Sequence, residues 1–163
     1  MDEKVDKAVE QALTFLKYSD RTVHEMKEKL RGKGFSESVV GKATAKLKHL
    51  GYLNDGQYAE RWIRGKLRSR PIGRRLIRQK LRLKGIHPDV IDEKLEPLYH
   101  EFSESSGLEE LARKQVMKYG TLEKRRLRKK LFDFLFRRGF EYGECISAVD
   151  HAVSSGDDEA VDI

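Results

Sequence analysis

Along this chain apolar residues fall three and four positions apart, the spacing of one face of an α-helix, and nothing reads as a β-strand. The pattern also repeats. LRGKGFSESVV from Leu30, LRLKGIHPDVI from Leu81 and LFRRGFEYGEC from Leu135 align on Leu, two residues, Lys or Arg, Gly, then Phe or Ile. Their glycines, Gly34, Gly85 and Gly139, lie 51 and 54 residues apart, so the period is about fifty residues. Met26, Ile77 and Leu131 stand four residues before the three leucines. Beyond the Phe or Ile, Val40, Thr44 and Leu47 in the first repeat match Ile91, Leu95 and Leu98 in the second and Cys145, Val149 and Ala152 in the third.

Each repeat is therefore predicted to end a middle helix at a basic residue and a C′ glycine, turn on an apolar plug and open a last helix. First helices are predicted at about 4–18, 55–69 and 107–118. Cap signals agree with these bounds. Thr22 with Glu25 forms a T-x-x-E capping box, Asn54 with Gln57 is a variant of it, and Leu53 with Tyr58 supplies a hydrophobic staple. Ser36 is placed to cap the last helix of the first repeat, and Pro88 to occupy the first position of its counterpart. The fold expected is all-α, three tandem three-helix repeats stacked as an elongated, curved rod. The repeats are assigned to 1–53, 54–100 and 101–154, with an acidic disordered tail over 155–163.

Charge sharpens this picture. The formal net charge of +7 is distributed as +1 over residues 1–60, +11 over 61–85, −7 over 86–112, +9 over 113–138 and −7 over 139–163. Separate positive and negative zones suit a polyanion, either a nucleic-acid backbone or an acidic groove of a protein polymer, better than they suit general stickiness. On a wheel of 100° per residue, Arg74, Arg75, Arg78 and Arg82 fall within one arc of about 100°. Leu76, Ile77, Leu81 and Leu83 take the other side, with Lys80 and Lys84 among them extending to solvent past their stems. Arg61, Arg64 and Arg68 share a stripe of the preceding helix, and Arg70, Pro71 and Gly73 join the two. A second cluster holds Lys124, Arg125, Arg126, Arg128, Lys129 and Lys130, with Arg125, Lys129, Phe132 and Phe136 interleaving cation and aromatic ring as single-strand binders do. Packing of those rings on the neighbouring repeat is the simpler reading. Arginine suits phosphate because its planar fork binds in a bidentate manner.

Other chemistry is thinly represented. The five histidines stand at no paired ligand spacing, and no nucleophile elbow, phosphate loop, dinucleotide fingerprint or H-E-x-x-H run occurs. No catalytic residue, metal site or cofactor is expected. The lone Cys145 excludes a disulfide framework within the chain and is expected to be a buried small apolar residue. A reducing, cytoplasmic setting follows, and no stretch has the length of apolar residues that a membrane span needs. A helix-turn-helix docking is disfavoured because the third helix of repeat two is acidic, with Asp89, Asp92, Glu93 and Glu96.

Three stretches taken together, RTVHEMKEKLRGKGF (Arg21–Phe35), LGYLNDGQYAERWI (Leu50–Ile63) and RPIGRRLIRQKLRLKGI (Arg70–Ile86), resemble the RecX family of bacterial regulatory proteins. The likeness covers about residues 5–153. It departs from the family at Lys80, where an acid is usual, and in extra residues before the middle helix of repeat three. The resemblance implies a modulator, usually an inhibitor, of the RecA recombinase that binds in the helical groove of the RecA–DNA filament. The partners expected are therefore the RecA filament and single-stranded DNA, with double-stranded DNA as a further candidate, met by a monomer. The alternatives are a sequence-independent DNA-binding protein acting through its basic helices, and an adaptor that uses its acidic helices to hold a basic protein.

Overall fold

The computed structural model describes the backbone of residues 2–158 and the side chains of residues 2–154. Among the described residues the chain forms nine α-helices and no strand: α1 (Glu3–Tyr18), α2 (Val23–Gly32), α3 (Glu37–His49), α4 (Asp55–Ser69), α5 (Arg74–Leu83), α6 (Pro88–Glu104), α7 (Gly107–Tyr119), α8 (Lys124–Arg137) and α9 (Tyr142–Asp158). Of the acidic disordered tail expected over 155–163, residues 155–158 are instead helical as the last turn of α9, and 159–163 lie outside the described residues.

Local chemistry accounts for most helix ends. The Thr22 side chain accepts from the Glu25 N–H at 3.1 Å while Glu25 Oε2 accepts from the Thr22 N–H at 3.1 Å, the reciprocal box that starts α2. Asn54 accepts from the Gln57 N–H at 3.0 Å before α4, and Pro88 is the first residue of α6. Ser36 departs from expectation. It holds the extended N-cap conformation of α3 but makes no side-chain capping bond. Each middle helix ends at a left-handed glycine, with φ of 85° at Gly34, 77° at Gly85 and 87° at Gly139.

The repeating apolar register is the core. Met26, Ile77 and Leu131, the leucines that follow them, and the nine positions traced through the last helices are all buried. Burying each of the larger aliphatic side chains contributes about 1.5–3 kcal/mol. Leu83 does not follow its assignment and stands exposed at the end of α5.

The chain divides into two compact units, Met1–Trp62 with Lys80–Lys94 and Ile63–Gln79 with Leu95–Ile163. In the first, α1 and α2 pack on α3 and on each other, around fully buried Ala8, Ala12, Met26, Leu30, Ala43 and Leu47. The Thr22 hydroxyl also donates to the Lys84 carbonyl at 2.7 Å, and the Val23 N–H donates to Asp55 Oδ1 at 2.9 Å. In the second unit, α7 and α8 pack on α9 and on each other over Leu131, Leu135, Phe140, Cys145 and Val149. There the Gly73 N–H donates to the Arg138 carbonyl at 2.9 Å, and Arg138 Nε donates to the Pro71 carbonyl at 3.1 Å. The two units thus contain the same joint. Thr22 and Gly73 each stand eight residues before the aligned leucine, and each donates to the carbonyl just before the C′ glycine of the following repeat.

Candidate nucleic-acid and partner interface

Helix α5 opens with three arginines and no acid. In the second unit they meet different partners. Arg74 bridges Glu96 at 3.3 Å and Glu144 at 3.2 Å, with its guanidinium 3.9 Å from the centroid of the Tyr99 ring. Arg78 reaches Glu96 at 2.7 Å. Tyr99 is fully buried, its hydroxyl 3.4 Å from Glu144 Oε2, and burial followed by the Glu144 charge pushes its ionisation above the ordinary range. Arg74 and Arg78 therefore neutralise carboxylates of α6 and α9 and serve the scaffold, a role the charge pattern did not separate from binding.

Arg75 is exposed and follows another course. Its Nη2 donates to the Phe136 carbonyl at 2.6 Å, and its guanidinium lies 5.0 Å from the centroid of the Phe136 ring. Phe136 stacks on Phe132 with centroids 5.7 Å apart, and Tyr142 meets Phe132 edge-on at 5.4 Å. Phe136 and Tyr142 remain partly open to solvent. Lys129 and Arg125, exposed one and two turns earlier in α8, extend this stripe. The rings pack on one another and on Arg75, and a cation-flanked aromatic face stays open beside them. Lys124 is exposed on α8, and Arg128 is engaged by Asp150 of α9.

The remaining candidates are dispersed. Arg61, in the first unit, pairs with Asp20 at 2.9 Å, and Arg82, also there, is exposed. Arg64 lies 3.8 Å from Glu101, while Arg68 and Arg70 are exposed and line one cleft of the second unit. Lys84 does not extend to solvent as expected. Its ammonium is held 2.9 Å from Glu25 and 5.5 Å from the Tyr58 ring centroid. Tyr99, Glu144 and Tyr142 were missed as contributors. The aromatic–acidic run around Cys145 carried a signal for two of them, but their partners are set by packing between helices.

Cys145 is buried, and burial followed by the Glu144 charge pushes its thiol up to about 11. Among the described residues, no group of three or more His, Cys, Asp or Glu could hold a metal ion, and no helix is long and apolar enough to cross a membrane.

Tandem three-helix domains presenting cations and partly open aromatic rings define a helical-repeat protein. Sequence profiles described as the first, second and third three-helix domains of RecX match residues 8–47, 54–95 and 105–149 in that order, and the chain belongs to the RecX family. It is 36% identical over 140 residues to the regulatory protein RecX of Clostridium perfringens (strain 13 / Type A), covering 85% of this chain and 65% of that protein. It is 30% identical over 142 residues to the regulatory protein RecX of Amycolatopsis mediterranei (strain U-32), covering 87% and 81%. The chain spans 59% of the length of the Leuconostoc mesenteroides relative, to which it is 30% identical over 97% of its own length. The crystal structure of RecX from Lactobacillus salivarius matches with a TM-score of 0.84 at 25% identity, over 93% of this chain and 98% of that one.

Proposed function

We propose that this chain binds the RecA–DNA filament in the cytoplasm as a monomer and inhibits the recombinase, slowing ATP hydrolysis and strand exchange during DNA repair and recombination. The observation that carries the reading is the presence, in order, of all three three-helix domains of a regulatory family. The face formed by Arg75, Phe132, Phe136, Tyr142, Arg125 and Lys129 supports a surface that meets DNA phosphates and exposed bases together. Arg68, Arg70 and Arg82 add phosphate-facing charge.

The test is single-strand DNA-dependent ATP hydrolysis by RecA, with this protein titrated far below the RecA concentration and the titration repeated with extra DNA. Inhibition that survives the extra DNA is expected. Relief by the extra DNA would mean a basic helical protein competing for strands and would overturn the reading. Arg125→Glu with Lys129→Glu should weaken inhibition, and unchanged inhibition by that variant would remove this face from the interface. Arg74 and Arg78 are poor choices for this test because their carboxylate partners tie them to the fold.

A further inference from the structure

Within the second unit, the end of α4, the loop into α5 and the first turns of α7 line a cleft of about 310 Å³. Its charged residues are Arg68, Arg70, Lys114 and Arg138 against a single carboxylate, Glu110. Lys114 already engages Glu110 at 2.8 Å, so that pair is close to neutral. Arg138 is half-buried and spends its Nε on the Pro71 carbonyl at 3.1 Å, which leaves both terminal nitrogens of the fork. Burial, followed by the nearby charge of Arg70, lowers the Arg138 guanidinium from its ordinary value. Two like charges thus line one cleft, neither with an ion pair among the described residues, an arrangement that an oxyanion would relieve.

The N-terminus of α7 adds an independent feature. Gly107 lines the cleft as the first residue of α7, the positive end of the helix dipole. A Cβ at Gly107 would come within 2.1 Å of the Phe102 ring, so the backbone there is held in close approach. Ser106, just before it, is left-handed with φ of 57° and makes no side-chain capping bond.

We propose that this cleft binds a phosphate group, with Arg70 and Arg138 as the fork and Arg68 at the rim. The group is either a backbone phosphate of a polynucleotide or a free phosphate. The first source rests on the DNA-contacting part of the function proposed above; the cleft itself does not.

The experiment is a titration of the full chain with inorganic phosphate, against sodium chloride at matched ionic strength. It is followed by NMR at the Gly107 amide and the Arg138 Nε–H, in the wild type and in Arg70→Gln. Saturable shifts at both signals are expected with phosphate and not with chloride, with affinity about tenfold weaker in Arg70→Gln, the loss of one charge-assisted hydrogen bond. Absent or unsaturable shifts, or equal affinity in Arg70→Gln, would overturn the site. Arg68→Gln, at an exposed position, gives a second variant expected to weaken binding without disturbing the fold. Displacement of phosphate by a short single-stranded oligonucleotide assigns the site to a polynucleotide backbone, whereas phosphate that stays bound assigns it to a free ligand. No RecA is present, so a failure here is separate from a failure of the filament assay.

Discussion

The C′ glycines that end the middle helices share a backbone conformation but not their surroundings, and this sets up a controlled comparison. Gly34 and Gly85 lie in the same unit with φ of 85° and 77°. A Cβ added at Gly34 meets nothing within 4 Å, whereas one added at Gly85 would stand 2.3 Å from His24 Cβ and 2.4 Å from its Cγ. Gly34→Ala therefore carries only the left-handed penalty, about 1–2 kcal/mol. Gly85→Ala carries the same penalty plus a forced shift of the first turn of α2, and overpacking of that kind costs about 1–3 kcal/mol. The shift also strains the Thr22 hydroxyl bond to the Lys84 carbonyl, a contact of about 0.5–1.5 kcal/mol. The expected losses are about 1–2 kcal/mol for Gly34→Ala and roughly 2–5 kcal/mol for Gly85→Ala. Urea denaturation followed by far-ultraviolet circular dichroism measures both, and in a chain of this size each 1 kcal/mol moves the thermal midpoint by about 2–4 °C. Equal losses in the two variants would refute the reasoning, because they would show that the joint between repeats yields freely. Gly139→Ala extends the series in the second unit, where its Cβ would meet the Leu76 backbone nitrogen at 2.7 Å.

Other substitutions separate scaffold from surface. Arg74→Gln leaves Glu144 without its cation, while Glu96 keeps Arg78, and should lower stability by about 1–3 kcal/mol, whereas exposed Arg125→Glu should change it by no more than about 0.5 kcal/mol; denaturant midpoints of the two variants decide. For Glu25, burial alone would raise the carboxyl, but hydrogen bonds from Lys84 and the Thr22 N–H, with the charges of Lys84 and Arg21, hold it below its ordinary value. Because the folded value is depressed, this stabilisation is fully present above about pH 4.5 and is lost as pH falls through the folded value. Urea midpoints of wild type and Glu25→Gln should therefore differ at neutral pH and converge in acid; a constant difference would refute the assignment. Cys145, with its thiol pushed up to about 11, should resist a disulfide reagent at pH 8 in the folded chain and react once guanidinium unfolds it. Rapid labelling without denaturant would contradict its burial.

Most of the fold was legible because it is written in period. A helix face repeats every three to four residues, and a three-helix unit repeats every fifty, so Met26, Ile77 and Leu131 could be placed in the core without knowing what covers them. Helix ends were legible where one residue type answers one backbone need, as at Thr22 and Gly85, and less so at Ser36, whose side chain has the right chemistry but no capping bond. The surface was harder. A helical wheel puts Arg74, Arg75 and Arg78 in one arc, yet two of them meet Glu96 and the third meets Phe136. That choice depends on which helix lies against α5 and at what height, and no period in α5 itself encodes it. Gly73 shows the same limit. Its neighbours mark a turn, but only the approach of the Gly139 carbonyl, 2.1 Å from where a Cβ would sit, explains why no side chain fits there.

The pairing within the basic block bears on binding as well as on stability. Residues 61–85 carry eleven cations and no acid, and a count from sequence alone would assign them all to phosphates. Arg61, Arg64, Arg74, Arg78 and Lys84 instead have carboxylate partners in the fold. Lys66, the eleventh, also has an interaction of its own, whereas Arg68, Arg70, Arg75, Lys80 and Arg82 have no such ion pair among the described residues. For single-stranded DNA the logarithm of affinity falls with the logarithm of salt by about 0.7 per phosphate neutralised. In the Arg125→Glu with Lys129→Glu variant, which removes the cations of the α8 face, five available cations of the block give a slope of about −3.5, against roughly −8 if all eleven engaged. Fluorescence anisotropy of a labelled oligonucleotide across a sodium chloride series distinguishes the two. A slope near the larger value would mean that the ion pairs open on binding and that Arg74 and Arg78 belong to the interface after all. A slope near the smaller one would mean that Asp20, Glu25, Glu96, Glu101 and Glu144 withhold part of the basic block from DNA, so that affinity for bare strands stays modest.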